Sequence, residues 1–367
     1  MRGIEERRAC VHGELPRRAS TSKISLQRSR CTANRLRRVS RVNHPFVSVV
    51  MPIRNEEAFI ERSLGAVLAQ DYPADRIEVL IADGMSDDGT LSVIQRMPGA
   101  DRVRVIPNPR RIQAAGLNLI IPMARGEFII RVDGHTIIAE DYVRQCVDIL
   151  QHTGAQNVGG AMNSVGITPM GRAIAAAGTS SFAVPTAFHV SSKAQYTDTV
   201  YLGAWPASIF QQVGLYSEAV GVNEDYELNY RIRKASGRIY FSPAIRSEYF
   251  GRQTLRSLAR QYFRYGKSKV KTLAHHPQSL RPRQLIAPLF VVFLFGGALL
   301  SVIWPGLRAF WALGIGVYAV TSLVFSVKVA ARSGWELLWR LPIVFLTIHL
   351  SWGIGFFAGI RQIGRPL

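Results

Sequence analysis

Val47-Ser48-Val49-Val50-Met51-Pro52 is the stretch on which the fold turns, because its unbroken apolar run predicts a buried strand. Outward from it, Asn55-Glu56-Glu57 predicts a helix start with Asn55 as N-cap. Ile60, Leu64, Val67 and Leu68 then supply an apolar stripe at helical period. Residues 77–82 predict a second strand, 84–89 a turn, 90–96 a helix, 103–106 a third strand, 112–124 a helix and 127–132 a fourth strand. Strands alternating with helices at this spacing predict βαβ units, a parallel sheet and the α/β class. Further along, 225–235 predicts a helix closed by Gly237 at its C′ position, followed by a short strand over 238–241.

The 367 residues carry a formal net charge of +20, and 48% of them are hydrophobic. Both properties are unevenly spread. The first 43 residues hold 12 Lys or Arg against three Glu, and a second basic stretch runs from Arg252 to Arg283. Such a balance points to anionic partners: nucleotide phosphates, acidic lipid head groups or nucleic acid. Residues 1–43 lack apolar periodicity and any run long enough for a signal-peptide core, which predicts a disordered basic arm. Contact with anionic lipid and an inert tail are both open for it. Cys10, Cys31 and Cys146 have the spacing of neither a disulfide framework nor a zinc site, which fits a reducing compartment.

Three apolar segments close the chain, 286–304, 309–327 and 341–360, each roughly 19 to 20 residues and long enough to cross a hydrocarbon core. His349 is the only titratable group in the third. Lys267, Lys269, Lys271, Arg281 and Arg283 precede the first segment. Lys328, Arg332 and Arg340 fall between the second and third. Positive charge favours the cytoplasmic side, which places the body and that link inside. An odd number of spans then predicts an external C-terminus, which Arg361 and Arg365 oppose.

Ligands of open parallel sheets bind outside the carboxyl ends of the strands. Asp83 and Asp133 fall at two such ends, where a carboxylate can accept from a base or ribose, or hold a hard cation. Taken singly, each serves equally well as a turn cap. Glu224-Asp225 opens a helix, a position that favours carboxylates through the helix dipole, although capping alone does not need two adjacent acids. Gln261-Tyr262-Phe263-Arg264-Tyr265 also suits a basic amphipathic helix lying on a membrane. Arg110 and Arg111 are a weak candidate for a phosphate-facing pair, for which solvation is the commoner explanation. Residues 173–185, rich in small side chains, suit either a membrane surface or an acceptor groove.

Taken in order, Pro52-Ile53-Arg54-Asn55-Glu56, Asp83-Gly84-Met85-Ser86-Asp87-Asp88-Gly89-Thr90, Asp133-Gly134-His135 and Asn223-Glu224-Asp225-Tyr226-Glu227-Leu228 resemble the motifs of the family 2 glycosyltransferases, which have the GT-A fold. The resemblance runs from about Val47 to Tyr265 and is strongest to membrane-anchored bacterial exopolysaccharide enzymes of the succinoglycan type. It implies a GT-A nucleotide-sugar-binding domain over 44–265, a basic interfacial segment over 266–285 and three transmembrane helices within 286–367. Asp83 is then the acceptor for the nucleotide base, and Pro52, Arg54 and Glu56 line the nucleotide pocket. Asp133 and His135 match the metal-binding D-x-D position, with His135 in place of the second Asp. An imidazole ligates Mn²⁺, whereas Mg²⁺ prefers oxygen. The implied cofactor is one of these divalent cations, whose task is to offset diphosphate charge as the leaving group departs. Asp225 matches the general base, with Glu224 beside it. Gln261, Arg264 and Tyr265 match a Q-x-x-R-W motif with Tyr in place of Trp, which implies Arg264 on the diphosphate and Tyr265 near the acceptor.

The function so implied is inverting transfer from a nucleotide-sugar, taken as a UDP-sugar, to a polyprenyl-diphosphate-linked glycan at the bacterial inner membrane. Three alternatives stand beside it. A polyprenyl-phosphate glycosyltransferase needs no strong base, because its acceptor is already ionised. A processive synthase needs a translocation channel, for which three spans are few. A non-enzymatic glycan- or nucleic-acid-binding membrane protein would follow from the charge alone. No nucleic-acid recognition module accompanies that charge, and Asp83, Asp133 and Asp225 argue for an enzyme.

Overall fold

The computed structural model describes residues 44–183, 191–219 and 224–362. The basic arm over 1–43, with Cys10 and Cys31, lies outside them, as do Asn223, Val184, Pro185 and Arg365.

Four strands build the expected parallel half: β1 (Val47–Ile53), β2 (Ile77–Asp83), β3 (Val103–Pro107) and β4 (Phe128–Arg131). All seven residues of β1 are buried. Strand alternation sends Val47, Val49, Met51 and Ile53 into one core with α1 (Ile60–Leu68). Val50 enters a second core on the opposite face with α3 (Gln113–Ile120), which follows α2 (Thr90–Arg96) in the chain. Burying each such side chain contributes about 1.5–3 kcal/mol, which is why the central strand is apolar on both faces.

The sheet is mixed rather than parallel throughout. Its order is β3-β2-β1-β4-β8-β6-β9-β5, with β7 on β9. The additional strands are β5 (Thr136–Ile138), β6 (Asn157–Val165), β7 (Gln195–Thr197), β8 (Tyr201–Pro206) and β9 (Ile239–Phe250). β8 pairs antiparallel with both β4 and β6, while β6 and β9 are parallel. Between them lie α4 (Tyr142–Thr153), α5 (Pro169–Gly178), α6 (Ile209–Val213) and α7 (Glu224–Lys234). The chain leaves β1 toward β2 and β3, then returns to lay β4 on the other side of β1. That reversal opens a crevice outside the carboxyl ends of β1 and β4, the place where such sheets bind ligands.

Two local expectations shift. Asn55 does not cap a helix. It takes a left-handed φ of 55°, which Asn tolerates better than most residues, and α1 begins five residues later at Ile60. At the end of α7 the left-handed residue is Ser236, with φ of 64°, so Gly237 is C″ rather than C′. Gly237 N–H donates to the Ile232 carbonyl at 2.9 Å and Ser236 N–H to that of Arg233 at 3.1 Å, a Schellman end.

The C-terminal part comprises α8 (Leu255–His275), α9 (Ile286–Ile303), α10 (Arg308–Ser333) and α11 (Leu341–Ile360). α8 runs without a break across position 265, where the sequence suggests the end of the catalytic domain. It lies against α11 at backbone distance. A Cβ on Gly355 would stand 2.1 Å from the Phe263 carbonyl, and one on Gly266 2.1 Å from that of Trp352. Three helical stretches that contain α9, α10 and α11 are long and apolar enough to cross a membrane. α10 extends beyond the expected segment, so Lys328 and Arg332 lie on its last turns. Residues 173–183 face these helices: Ala173, Ala177, Val344, Phe345 and Ile348 share one core. His349 donates from Nε2 to the Phe182 carbonyl at 2.9 Å, which leaves Nδ1 to accept from Tyr318 at 2.9 Å.

Candidate active site

The loops that follow β1 and β2 are stitched together. Asn55 N–H donates to Ser86 Oγ at 2.9 Å, its side-chain amide donates to Asp87 Oδ1 at 2.7 Å, and Asp87 N–H returns a bond to Asn55 Oδ1 at 3.1 Å. Glu56 N–H donates to Thr90 Oγ1 at 2.8 Å, and the Glu57 carboxylate accepts from Gly89 N–H at 3.1 Å. Asp83 closes β2 with 4% exposure, and its carboxylate accepts from the Ser86 N–H at 3.1 Å and hydroxyl at 2.6 Å. Gly84 lets the loops meet, because a Cβ there would stand 3.0 Å from Arg54 Cβ and 3.2 Å from the Ile53 carbonyl. Pro52 is buried within β1, and Arg54 is exposed at the rim.

Across the crevice, β4 ends in a group that the motif reading missed. Arg131, only 2% exposed, sits among three carboxylates. Its Nε donates to Asp133 Oδ1 at 2.8 Å, Nη2 donates to Glu224 Oε1 at 3.4 Å, and Nη1 donates to Asp225 Oδ1. Gln113 Nε2 also donates to Asp133 Oδ1, at 3.2 Å. Three carboxyl groups thus share one guanidinium at the edge of the crevice. A signal for Arg131 was available: an arginine inside an otherwise apolar strand, two residues before Asp133, shares that residue's face.

The electrostatics follow from this burial. Burial pushes the Asp225 carboxyl up, to about 8, with Glu224 and Asp133 adding to the rise and Arg131 opposing it. Glu224 is raised chiefly by burial as well. Burial works against the charge on Arg131, yet Asp133 and Asp225 hold its pKa well above the ordinary value. Asp225 is the outermost of the three acids, with 30% of its side chain exposed. A carboxylate tuned toward neutrality and open to the crevice is what general base chemistry requires.

The sequence of this architecture matches the model named Glycosyl transferase family 2 over residues 48–174. The chain is 31% identical over 322 residues to the succinoglycan biosynthesis protein ExoA of Rhizobium meliloti, covering 86% of this chain and 96% of that one. The chain is a family 2 glycosyltransferase. A dolichyl N-acetyl-alpha-D-glucosaminyl phosphate 3-beta-D-2,3-diacetamido-2,3-dideoxy-beta-D-glucuronosyltransferase of Methanococcus voltae is 25% identical over 326 residues, 86% of this chain and 97% of that one. Among solved structures, the mannosyltransferase PcManGT from Pyrobaculum calidifontis, in complex with GDP-Man and Mn²⁺, shares the fold. Its TM-score is 0.57 at 19% identity, with 92% of this chain and 98% of that one covered.

Within this glycosyltransferase, His135 and Glu56 form a pair. His135 Nδ1 lies 2.8 Å from Glu56 Oε1. Burial opposes protonation of His135, but the hydrogen bond and charge of Glu56 prevail and raise the imidazole above its ordinary value. Glu56 is therefore placed to orient the histidine. Gln261 and Tyr265 approach the same side: Gln261 Nε2 donates to the Tyr265 hydroxyl at 2.8 Å and bonds Tyr249, whose ring stands 5.3 Å from that of His135. Arg264 points elsewhere, exposed, with its Nε reaching the Arg260 carbonyl of its own helix at 3.4 Å. The cation whose field reaches His135 is Arg252, exposed just past β9. Arg110 is engaged in an ion pair with Glu218.

Among the described residues, no three His, Cys, Asp or Glu side chains converge into a metal cage. The donors present instead fit a cation that arrives with a diphosphate, since such ions commonly take one or two protein groups plus phosphate oxygens. Asp133 offers a carboxylate. Donation of the Nδ1 proton to Glu56 leaves the His135 Nε2 lone pair for a metal, the usual carboxylate–histidine arrangement.

Proposed function

We propose that this glycosyltransferase transfers a sugar from a nucleotide diphosphate donor, a UDP-sugar, to a lipid-linked glycan with inversion at the anomeric carbon. The carrying observation is the Arg131-centred cluster, which joins Asp133 on the donor side to Asp225 at the base position. Asp225 removes the acceptor hydroxyl proton as that oxygen attacks. Asp83, Pro52 and Arg54 hold the nucleotide, Arg252 answers the diphosphate in place of Arg264, and Gln261 and Tyr265 border the acceptor. A divalent cation held by Asp133 and His135 supplies charge compensation to the leaving diphosphate when bound. The relation to a succinoglycan biosynthesis protein supports a glycan product.

The three apolar helices are read as membrane spans with the catalytic body in the cytoplasm, where nucleotide-sugars are made. Arg281 and Arg283 before α9, Lys328 and Arg332 on the last turns of α10, and Arg340 just before α11 support that orientation. Radiolabelled UDP-sugar transfer into membrane lipid tests the function directly. Wild type is expected to label a lipid-linked saccharide, and Asp225→Asn to lose transfer by about 10²–10⁴-fold while still binding donor. Label that appears as a single sugar on polyprenyl phosphate, undiminished in Asp225→Asn, would replace this reading with a lipid-phosphate acceptor.

A further inference from the structure

A second concentration of charge lies at the juncture with the apolar helices. Lys269 on α8 is 3% exposed. Its ammonium donates to the Ser279 carbonyl at 3.0 Å and hydroxyl at 3.2 Å, and stands 4.4 Å from the Tyr226 ring centre. Tyr226, Tyr230 and Arg233 share one face of α7 at helical spacing. The Arg233 guanidinium carbon lies 5.8 Å from the Tyr230 ring, and its Nε is buried with no hydrogen-bond partner. Arg281 and Arg283, with side chains 47% and 39% exposed, share Asp198 at 4.0 and 3.1 Å. Burial first, then the fields of Arg281, Arg233 and Arg283, depress the Lys269 ammonium to about 8, with Asp198 as the acid that opposes them.

Four cations around one carboxylate repel one another and weaken the compact state. An anion bound there relieves the repulsion. The depth is informative as well. Arg283 stands three residues before Ile286, where the first apolar helix begins. A basic group at that height meets lipid head groups. The other flank is Tyr226, the residue after Asp225.

We propose that Arg233, Lys269, Arg281 and Arg283 form a binding site for the phosphate of a membrane lipid, at head-group depth beside the helix that carries Asp225. Arg281 and Arg283 are the solvent-facing forks, since an arginine fork matches phosphate oxygens in pairs. Lys269 and Arg233 form the fixed floor. The phosphate has two possible sources, a bilayer phospholipid or the lipid anchor of an acceptor. The second would hold a glycan next to the base. The inference rests on the membrane-spanning reading of α9, and its second source rests on the lipid-linked acceptor.

The test uses the full-length chain in phosphatidylcholine nanodiscs, titrated with farnesyl phosphate and, separately, with farnesol, which has the same chain without the phosphate. Farnesyl phosphate is expected to bind and farnesol not to. Arg281→Gln with Arg283→Gln should weaken the phosphate roughly tenfold or more, as expected for lost charge-assisted bonds. Arg256→Gln with Arg260→Gln removes equal charge from exposed positions of α8 and should leave binding unchanged. Nanodiscs containing phosphatidylglycerol separate the sources: displacement of farnesyl phosphate assigns the site to bilayer lipid, and retained binding assigns it to an isoprenoid phosphate. Equal binding of farnesol, or equal weakening by both double variants, overturns the site. The measurement requires no transfer, so an inactive enzyme that still binds farnesyl phosphate would count against the transfer reaction and not against this site.

Discussion

Arg131→Met is the substitution that most directly probes the cluster, because it keeps volume and removes the shared cation. Breaking a buried ion pair from one side costs about 3–5 kcal/mol. The contacts place this case toward the lower end. Asp133 retains Gln113 at 3.2 Å, and Asp225, with 30% of its side chain exposed, can be rehydrated. Glu224, with 5% side-chain exposure, bears most of the loss. About 3 kcal/mol corresponds to roughly a hundredfold change in the folded-to-unfolded ratio. The carboxyls will also respond by taking up protons, since burial already raises Glu224 and Asp225. A protonated Asp225 cannot act as base, so kcat should fall by about 10²–10⁴-fold. Arg131→Lys keeps the charge but loses the fork and should fall between the two. The assays are label transfer in membranes, donor affinity, and thermal unfolding of the detergent-solubilised protein. If Arg131→Met keeps wild-type kcat and thermal midpoint, Arg131 is incidental and the cluster is not the catalytic joint.

Four further outcomes follow. The kcat–pH profile should lose activity as pH falls, because Asp225 must be deprotonated, with an acid limb displaced from the ordinary carboxylate value near 4 toward 8; a limb at about 4 refutes the buried-base assignment. Chelation should abolish transfer and Mn²⁺ restore it, with Asp133→Asn unresponsive to Mn²⁺; full activity in excess EDTA removes the metal from the reaction. Gly355→Val should destabilise the α8–α11 contact by about 1–3 kcal/mol, since its side chain meets the Phe263 carbonyl; an unchanged thermal midpoint contradicts that packing. A reporter fused after Leu367 should behave as external; a cytoplasmic signal means that one of the three apolar helices does not cross.

The parts legible in the sequence were those specified locally. β1 was legible because a strand covered on both faces must be apolar throughout, and the three long helices because membrane length leaves few alternatives. β5 and β7 were not, being three residues each and paired with β9, a strand outside their local sequence. Asn55 looked like a helix cap because its partner Asp87 is 32 residues distant. The pairing of Glu56 with His135 could not be read because the two are 79 residues apart. Arg131 carried no motif at all, since what defines it is the company of Glu224 and Asp225, more than ninety residues on. Motifs gave the acids; the fold showed that the arginine of β4 lies between them.

The placement of Asp225 has a mechanical side. Consecutive residues at the start of α7 are fastened in opposite directions. Glu224 and Asp225 are held by Arg131 from the sheet. Tyr226 donates to the Ser279 carbonyl at 3.0 Å, and Glu227 lies 2.9 Å from His276 Nε2, both in the segment that leads into α9. Carboxylates at a helix start gain only about 0.3–1 kcal/mol each from the helix dipole, too little by itself to fix the first turn in place. The tertiary fasteners fix it. A displacement on the order of 1 Å at a reacting group can cost a hundredfold in rate. If Asp225 is the base, as proposed, the first turn of α7 holds it between the sheet and the segment leading into α9. On that reading Asp225 is tied to the sheet and its neighbour Tyr226 to the segment that enters the first apolar helix.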